Sequence, residues 1–291
     1  MPTPGKRLRS ALNQERPLQM VGAINAYCAL LAEHAGYRAI YLSGAGVANA
    51  SFGLPDLGFT SLDDVVADIR RITTRTELPL LADADTGFGD ITETVERFIA
   101  AGAAGLHLED QVPQKRCGHR PNKVLVSSAE MVARIQTAVA ARGDPSFVIM
   151  ARTDALAVEG EEKTFQRIEA YLSAGADMIF PEAVTDLNQY RRISERFNVP
   201  VLANITEFSK TPLFNLDELA SAGIAIALYP LTAFRAMSKS ALESLTRLRA
   251  EGTQQNLLEQ MQTREELYEH LDYHRYEQEI DERLKHERND E

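Results

Sequence analysis

The sequence predicts a (β/α)₈ barrel, and three observations support this fold class. Eight short apolar runs alternate with helix-like segments along a chain of 291 residues. The runs are apolar on both faces, as buried parallel strands must be. No linker-like change in composition divides them, and eight such units in about 250 residues are the pattern of one barrel.

The predicted strands are residues 19–25, 39–44, 78–85, 105–110, 147–154, 178–182, 199–206 and 224–230. Four of them follow a break that ends in glycine, where we expect a left-handed helix C-cap. These glycines are Gly36, Gly102, Gly175 and Gly223.

Helix start signals support the alternation. Ser61 with Asp64, and Ser127 with Glu130, have the spacing of a capping box. A doubly wound open sheet is the alternative architecture. It is disfavoured because residues 25–28 read Asn-Ala-Tyr-Cys, where that fold carries a glycine-rich fingerprint after its first strand.

We expect the barrel to occupy residues 1–255 and a helical extension to occupy residues 256–291. The extension is highly charged and has a sparse apolar stripe of Leu267, Leu271 and Tyr276. Such a stripe needs a partner helix. We therefore predict a homotetramer in which the extension packs on a neighbouring subunit.

The composition limits the possible partners and compartment. Lys and Arg number 31 against 42 Asp and Glu, so the net charge is −11 and binding to nucleic acid or to an anionic membrane is disfavoured. Two cysteines in a chain of this length do not form a disulfide framework. No apolar run is long enough to span a bilayer, so we expect a cytoplasmic protein.

The loop after the fourth predicted strand contains Cys117 between charged residues. Lys115, Arg116 and His119 place positive charge on both sides of the thiol, which lowers a thiol pKa and makes Cys117 a competent acid or nucleophile. Gly118 lets the backbone fold over a ligand. A solvated basic loop with an incidental cysteine is the alternative interpretation.

Polar side chains stand at nearly every predicted strand end, where the active site of a barrel lies. They are Asn25, Ser43 (followed by Gly44), Asp83, Asp85, Glu109, Asp110, Arg152, Asp154, Glu182, Asn204, Thr206 and, past the last strand, Arg235. Alternation along a strand predicts that Asp83 and Asp85 share a face. Paired carboxylates without a His/Cys cluster suit Mg²⁺, or Mn²⁺, better than zinc. The alternative is that one of them caps the following loop.

Several motifs together resemble the isocitrate lyase/PEP mutase superfamily, in register from about residue 5 to about residue 285. They are YLSG at 41–44, LPD at 54–56, DADTGFG at 83–89, EDQ at 109–111, KRCGH at 115–119, ARTDA at 151–155, FPE at 180–182 and LANITE at 202–207. Within the superfamily the chain is most similar to the branch that cleaves 2-methylisocitrate. Ala45 departs from the pattern, since many of those relatives have glycine there.

The resemblance implies Mg²⁺-dependent cleavage of 2-methylisocitrate to pyruvate and succinate. It makes Asp83 and Asp85 the metal ligands and Cys117 the general acid, with Lys115 and His119 beside it. Tyr41 is the first candidate for the base and Glu109 the second. The implied substrate-binding residues are Ser43, Gly44, Ala45, Asp56, Cys117, Gly118, Arg152, Phe180, Glu182, Asn204, Thr206, Leu228, Arg235 and Arg264.

Three alternatives remain beside this function. Isocitrate lyases share the cysteine loop, although they are usually longer and have Lys in place of Arg116. A C–P or oxaloacetate-processing enzyme of the same fold would leave Cys117 and His119 without a task. A catalytically silent barrel is disfavoured because the expected site positions are present, apart from the exchange at Ala45.

Overall fold

Eight parallel strands form a barrel wall within the residues that the computed structural model describes, 1–113 and 123–289. Strands β1 to β8 are Leu18–Gly22, Ala39–Leu42, Leu80–Asp83, Gly105–Glu109, Val148–Thr153, Met178–Pro181, Leu202–Asn204 and Ile226–Tyr229. Each strand pairs with the next in the chain, and β1 also pairs with β8. A parallel bridge between Ile179 and Val201 joins β6 to β7 and closes the circle. The predicted barrel is confirmed, and the open sheet is excluded.

Helices alternate with the strands along the chain, and further helices follow the last strand in the sequence. In the same described residues, α1 to α12 are Pro4–Gln14, Ala26–His34, Gly44–Gly46, Leu62–Thr73, Ile91–Ala100, Ser128–Ala141, Glu161–Ser173, Leu187–Arg196, Leu216–Ser221, Thr232–Glu251, Arg264–Leu271 and Tyr273–Asn289. None of these helices is long and apolar enough to cross a membrane.

The predicted local signals are mostly confirmed. All four break glycines have positive φ, between 77° and 103°, as a left-handed C-cap requires. Ser61 and Asp64 form a complete capping box at the start of α4. Ser127 caps α6 by accepting from the Glu130 amide, which is the first half of the predicted box.

Two apolar layers hold the barrel together. The interior layer includes Met20, Met150 and Leu202 from the strands, and Leu8 and Leu12 of α1 join it. The outer layer lies between strands and surrounding helices. Side chains alternate between the two layers along each strand, because successive residues of a strand point to opposite faces.

The predicted strands are too long at their C-terminal ends. The polar residues Asp85, Asp154, Glu182 and Thr206 all lie beyond the last residue of their strand. Their backbones are therefore free of strand geometry, and the shape of each following loop determines where the side chain points. The functional groups at the barrel mouth consequently belong to loops as well as to strands.

Contacts divide the chain into two compact units, Met1–Arg235 and Ala236–Glu291. The first unit contains the barrel. The second contains most of α10, together with α11 and α12. The predicted domain boundary after residue 255 lies further along the chain and stays a prediction.

Candidate active site

Two carboxylates converge where β3 ends. Asp83 is the last residue of the strand, and the backbone amide of Asp85 donates to Asp83 Oδ1 at 3.0 Å. The amide of Gly44 donates to Asp83 Oδ2 at 3.1 Å. A Cβ atom on Gly44 would lie 3.1 Å from Asp83 Oδ2 and 3.2 Å from Asp85 Oδ1, so both carboxylates face this glycine.

Asp83 and Asp85 converge as predicted, but strand alternation is not the cause. Strand alternation does not extend to Asp85, because β3 ends at Asp83. Asp85 instead has a φ of 48°, the left-handed conformation that Asp tolerates better than most residues. Both carboxylates are nearly buried, with exposed fractions of 6% and 7%.

Tyr41 of β2 and His107 of β4 lie beside these carboxylates. The Tyr41 hydroxyl is 2.8 Å from His107 Nε2 and donates to Asp83 Oδ2 at 3.5 Å. His107 Nε2 is 3.4 Å from Asp83 Oδ1. Burial, and then the charge of Asp83, raise the pKa of Tyr41 well above its ordinary value. The phenol is therefore protonated in this arrangement.

Arg152 lies among three buried carboxylates. Its Nε is 3.1 Å from Asp154 Oδ2, and its two terminal nitrogens are 3.4 Å from Glu109 and 3.4 Å from Glu182. The guanidinium also lies 5.2 Å from the centre of the Phe180 ring. Burial alone would lower the pKa of Arg152, but the neighbouring carboxylates outweigh it and raise the pKa.

Asp154 joins Arg152 to a second cation. Lys123 Nζ lies 2.5 Å from Asp154 Oδ1, and both side chains are buried. Burial would raise the pKa of Asp154, but the charges of Arg152 and Lys123 outweigh it and hold the pKa below its ordinary value. The amide of Asp154 donates to Asp110 Oδ1 at 2.9 Å, which fixes the backbone just after β5.

Other predicted residues of the first unit lie at strand ends or in the loops between elements. Asn204 Nδ2 is 3.4 Å from Glu182 Oε2, and Thr206 is buried. Ser43 caps the short helix α3 without a side-chain hydrogen bond, and Ala45 is half-buried. Asp56 is half-buried in the irregular stretch between residue 52 and α4.

Phe180 and Leu228, which the family resemblance implies as substrate-binding residues, belong to the interior apolar layer. Each exposes only 1% of its surface. Leu228 pairs with Asn204 across β8 and β7, and Phe180 packs against the edge of His107 at 5.3 Å. Their burial places them in the barrel interior, and their contact with substrate stays a prediction.

Some predicted residues are not placed at this site in the part of the chain that the structure describes. Lys115, Cys117, Gly118 and His119 lie outside the part of the chain that the structure describes. Arg264 begins α11 in the second unit, so its relation to the barrel stays a prediction. Arg235, in the first turn of α10, is 3.5 Å from Glu207 Oε2.

The sequence analysis assigns no role to His107 or Lys123, although both are buried at the site. A histidine inside an otherwise apolar strand was the available signal for His107. Because residues two apart on a strand share a face, it could have been grouped with Glu109. Lys123 has no local signal, since its partner Asp154 is 31 positions away in the sequence.

The fold and the site together define the class of protein. A (β/α)₈ barrel with acidic and cationic groups at the carboxyl ends of its strands is typical of an enzyme that acts on small charged molecules. The family model described as phosphoenolpyruvate phosphomutase matches residues 8–249. The chain therefore belongs to the phosphoenolpyruvate phosphomutase family.

Several relatives of high sequence identity are 2-methylisocitrate lyases. A 2-methylisocitrate lyase of Salmonella typhimurium is 61% identical over 283 residues, which cover 96% of both chains. One from Aeropyrum pernix is 43% identical and covers 94% of this chain and 89% of its own. Among solved structures, 2,3-dimethylmalate lyase has a TM-score of 0.89 at 32% identity, with coverage of 98% and 96%. A phosphonopyruvate hydrolase solved with oxalate and Mg²⁺ has a TM-score of 0.83 at 28% identity, with coverage of 95% and 97%.

Proposed function

We propose that the chain is a lyase that cleaves 2-methylisocitrate to pyruvate and succinate. The observation that carries this proposal is full-length similarity, at up to 61% identity, to 2-methylisocitrate lyases. The barrel mouth supports it chemically. The carboxyl ends of the strands carry two converging carboxylates and a buried guanidinium, which are suitable groups for a polyanionic substrate bound with a metal ion.

Asp83 and Asp85 would hold the metal ion, Mg²⁺ or in its place Mn²⁺. Their fit to a hard cation rests on the oxygen donors themselves and on Gly44, where any side chain would press against both carboxylates. Mg²⁺ is commonly held by one or two carboxylates, with water and substrate as the other ligands. When bound, the ion would supply Lewis-acid stabilisation of the charge that develops on substrate oxygens.

The reaction requires one proton to be removed and another to be added. A base takes the proton of the substrate hydroxyl, and that oxygen becomes the keto oxygen of pyruvate as the C–C bond breaks. The electron pair of that bond remains on the succinate fragment, which then takes a proton. Tyr41 is the first candidate for the base and Glu109 the second, and both are buried at the mouth.

Cys117 is the proposed donor of the second proton. The neighbouring positive charges of Lys115, Arg116 and His119 in the sequence favour a thiol of lowered pKa. Such a thiol gives up its proton near neutral pH more readily than a hydroxyl does, as a general acid must.

The substrate carboxylates would be held by cations and amides around the mouth. Arg152 offers a buried guanidinium, and Arg235 offers a second one at the start of α10. The other proposed contacts are Ser43, Gly44, Ala45, Asp56, Gly118, Glu182, Asn204, Thr206 and Arg264, with Phe180 and Leu228 against the methyl branch.

The test is to incubate the purified protein and Mg²⁺ with 2-methylisocitrate or isocitrate and to identify the oxo-acid. We expect pyruvate from 2-methylisocitrate at the higher rate. Glyoxylate released faster than pyruvate would reassign the chain as an isocitrate lyase. No cleavage of either substrate would overturn the proposal of a lyase acting on these acids.

A further inference from the structure

Lys123 occupies an unusual position for a lysine. Its side chain is only 3% exposed, and its ammonium contacts one oxygen of Asp154, a carboxylate that is itself fully buried. Buried lysines are rare unless they are paired, because desolvation of an ammonium is costly. The Lys123–Asp154 pair is therefore expected to serve the function of the site or to stabilise its structure.

The chain that follows Lys123 is firmly held by hydrogen bonds. The amide of Val112 donates to the carbonyl of Val124 at 3.1 Å, and the amide of Val126 donates to the carbonyl of Asp110 at 2.9 Å. Arg167 donates to the Val126 carbonyl at 3.0 Å. Lys123 thus stands at the end of a short antiparallel pair, and its side chain ties this pair to the residue that follows β5.

The other oxygen of Asp154 accepts from Nε of Arg152 at 3.1 Å. Asp154 therefore divides its two oxygens between two cations. Counting formal charges, Arg152 and Lys123 together face the three carboxylates of Asp154, Glu109 and Glu182. Arg152 is the one of these two cations that contacts all three carboxylates, whereas Lys123 contacts Asp154.

We propose that Lys123 is a positioning residue for substrate binding. By occupying one oxygen of Asp154, it keeps this carboxylate from drawing the guanidinium of Arg152 into a two-oxygen pair, and so keeps Arg152 oriented between Glu109 and Glu182. The inference rests on the proposed function, because it assigns Arg152 to a substrate carboxylate. In this proposal Lys123 acts on Arg152 through Asp154.

The experiment compares steady-state kinetics of the full-length protein with 2-methylisocitrate in four forms: wild type, Lys123→Met, Asp154→Asn and the double variant. Methionine keeps the length of the lysine stem without the charge. We expect Lys123→Met to raise KM by about 10- to 100-fold, the effect of losing a hydrogen bond to a charged group. The value of kcat should change less than KM.

The same change in the Asp154→Asn background should alter KM by less than about threefold, because two residues that act through one another are not additive. Lys163→Met, at an exposed lysine of α7, is the matched control and should leave both constants unchanged. Thermal unfolding of each variant is measured alongside. A purely structural role would lower the unfolding temperature of Lys123→Met and leave KM unchanged.

Three results would overturn the inference. They are an unchanged KM in Lys123→Met, a fall in kcat alone, and an equal rise in KM with and without the Asp154 carboxylate. If Lys123→Met does not fold, the comparison of Asp154→Asn with the double variant decides: an equal KM supports the proposal and a further tenfold rise contradicts it. A wild-type protein without turnover would instead defeat the proposed function.

Discussion

The hydroxyl of Tyr41 lies 2.8 Å from Nε2 of His107, and the two rings stack with their centres 5.8 Å apart. Both side chains point into the barrel interior from strands β2 and β4, and both are almost completely buried. This contact fixes the direction of the phenol oxygen beside Asp83. A general base must have such a fixed direction, since proton transfer requires hydrogen-bond geometry.

We predict that Tyr41→Phe lowers kcat by about two to four orders of magnitude, the usual contribution of a general base. The ring is retained, so packing in the interior layer is preserved, and the lost hydrogen bond should cost about 1 kcal/mol of stability. Steady-state rates and thermal unfolding measure the two effects. Tyr37→Phe, at a half-buried tyrosine after α2, is the control.

The pH dependence separates the two candidates for the base. Burial raises the pKa of Tyr41 well above its ordinary value, and a base acts only when deprotonated. If Tyr41 is the base, kcat/KM should therefore rise with pH from neutral into the alkaline range. A near wild-type rate for Tyr41→Phe, with loss of activity in Glu109→Gln, would assign the role to Glu109.

The second prediction concerns the metal. EDTA should abolish turnover, and Mg²⁺ should restore it. Asp85→Asn should lower turnover by more than about 100-fold at ordinary Mg²⁺ concentrations. Loss of a direct ligand should cost more than a change to a residue behind a ligand, which lowers metal affinity or activity by about 10- to 100-fold. Asn is chosen because it tolerates the positive φ of this position. Calorimetry of Mg²⁺ binding gives a readout independent of activity.

Asp90→Asn is the control for this change. Asp90 is the N-cap of α5 in the same loop, and Asn caps a helix equally well. It should bind Mg²⁺ and turn over as the wild type does. Full activity of the metal-free protein would contradict the metal assignment.

The third prediction concerns Cys117. Replacement by serine should lower turnover by about two to four orders of magnitude, because a hydroxyl is a much poorer acid at neutral pH. Binding of succinate and pyruvate should be retained. Cys28→Ala removes the other cysteine, which is buried, and should leave the rate unchanged. A fast Cys117→Ser enzyme would show that another group donates the proton.

The fourth prediction concerns assembly. Within the second unit, Leu242 and Leu245 of α10 expose 67% and 64% of their surface, whereas Leu267 and Leu271 of the predicted stripe are half-buried. Exposed leucines at helical spacing indicate a face that another chain covers. We expect light scattering to give a homotetramer, and Leu242→Glu with Leu245→Glu to dissociate it. Val158→Glu, at an exposed apolar residue of the barrel unit, is the control.

The sequence was sufficient for the fold because its signals are local. Apolar runs and break glycines such as Gly36 and Gly102 repeat along the chain, and each was recognisable without knowledge of its neighbours. Polar strand ends then located the mouth of the barrel. The predicted strand ends are less accurate, because an apolar run does not show where the backbone stops pairing with the neighbouring strand.

Geometry that depends on distant partners could not be predicted in the same way. Tyr41 and His107 are 66 positions apart, and Lys123 and Asp154 are 31 positions apart. No periodicity relates such residues, and only the closed barrel brings them together. The left-handed turn at Asp85 was also hidden, since an Asp-Thr-Gly segment fits several loop conformations.

The last prediction concerns the choice between 2-methylisocitrate and isocitrate. Phe180 and Leu228 are apolar residues near the mouth, where most groups are polar, and one methyl in an apolar pocket is worth roughly 10- to 200-fold in kcat/KM. We therefore predict a preference for 2-methylisocitrate of about that size. The competing explanation is that both residues only pack the interior layer.

Leu228→Thr tests these explanations, because it shortens the side chain and replaces apolar surface with a hydroxyl. We expect the preference to shrink mainly through a lower kcat/KM for 2-methylisocitrate. Leu202→Thr is the matched control, since Leu202 belongs to the same layer but pairs with Ile226, two residues before Leu228 on β8. If both variants lose the preference equally, packing alone is responsible. If only Leu228→Thr loses it, Leu228 contacts the methyl branch.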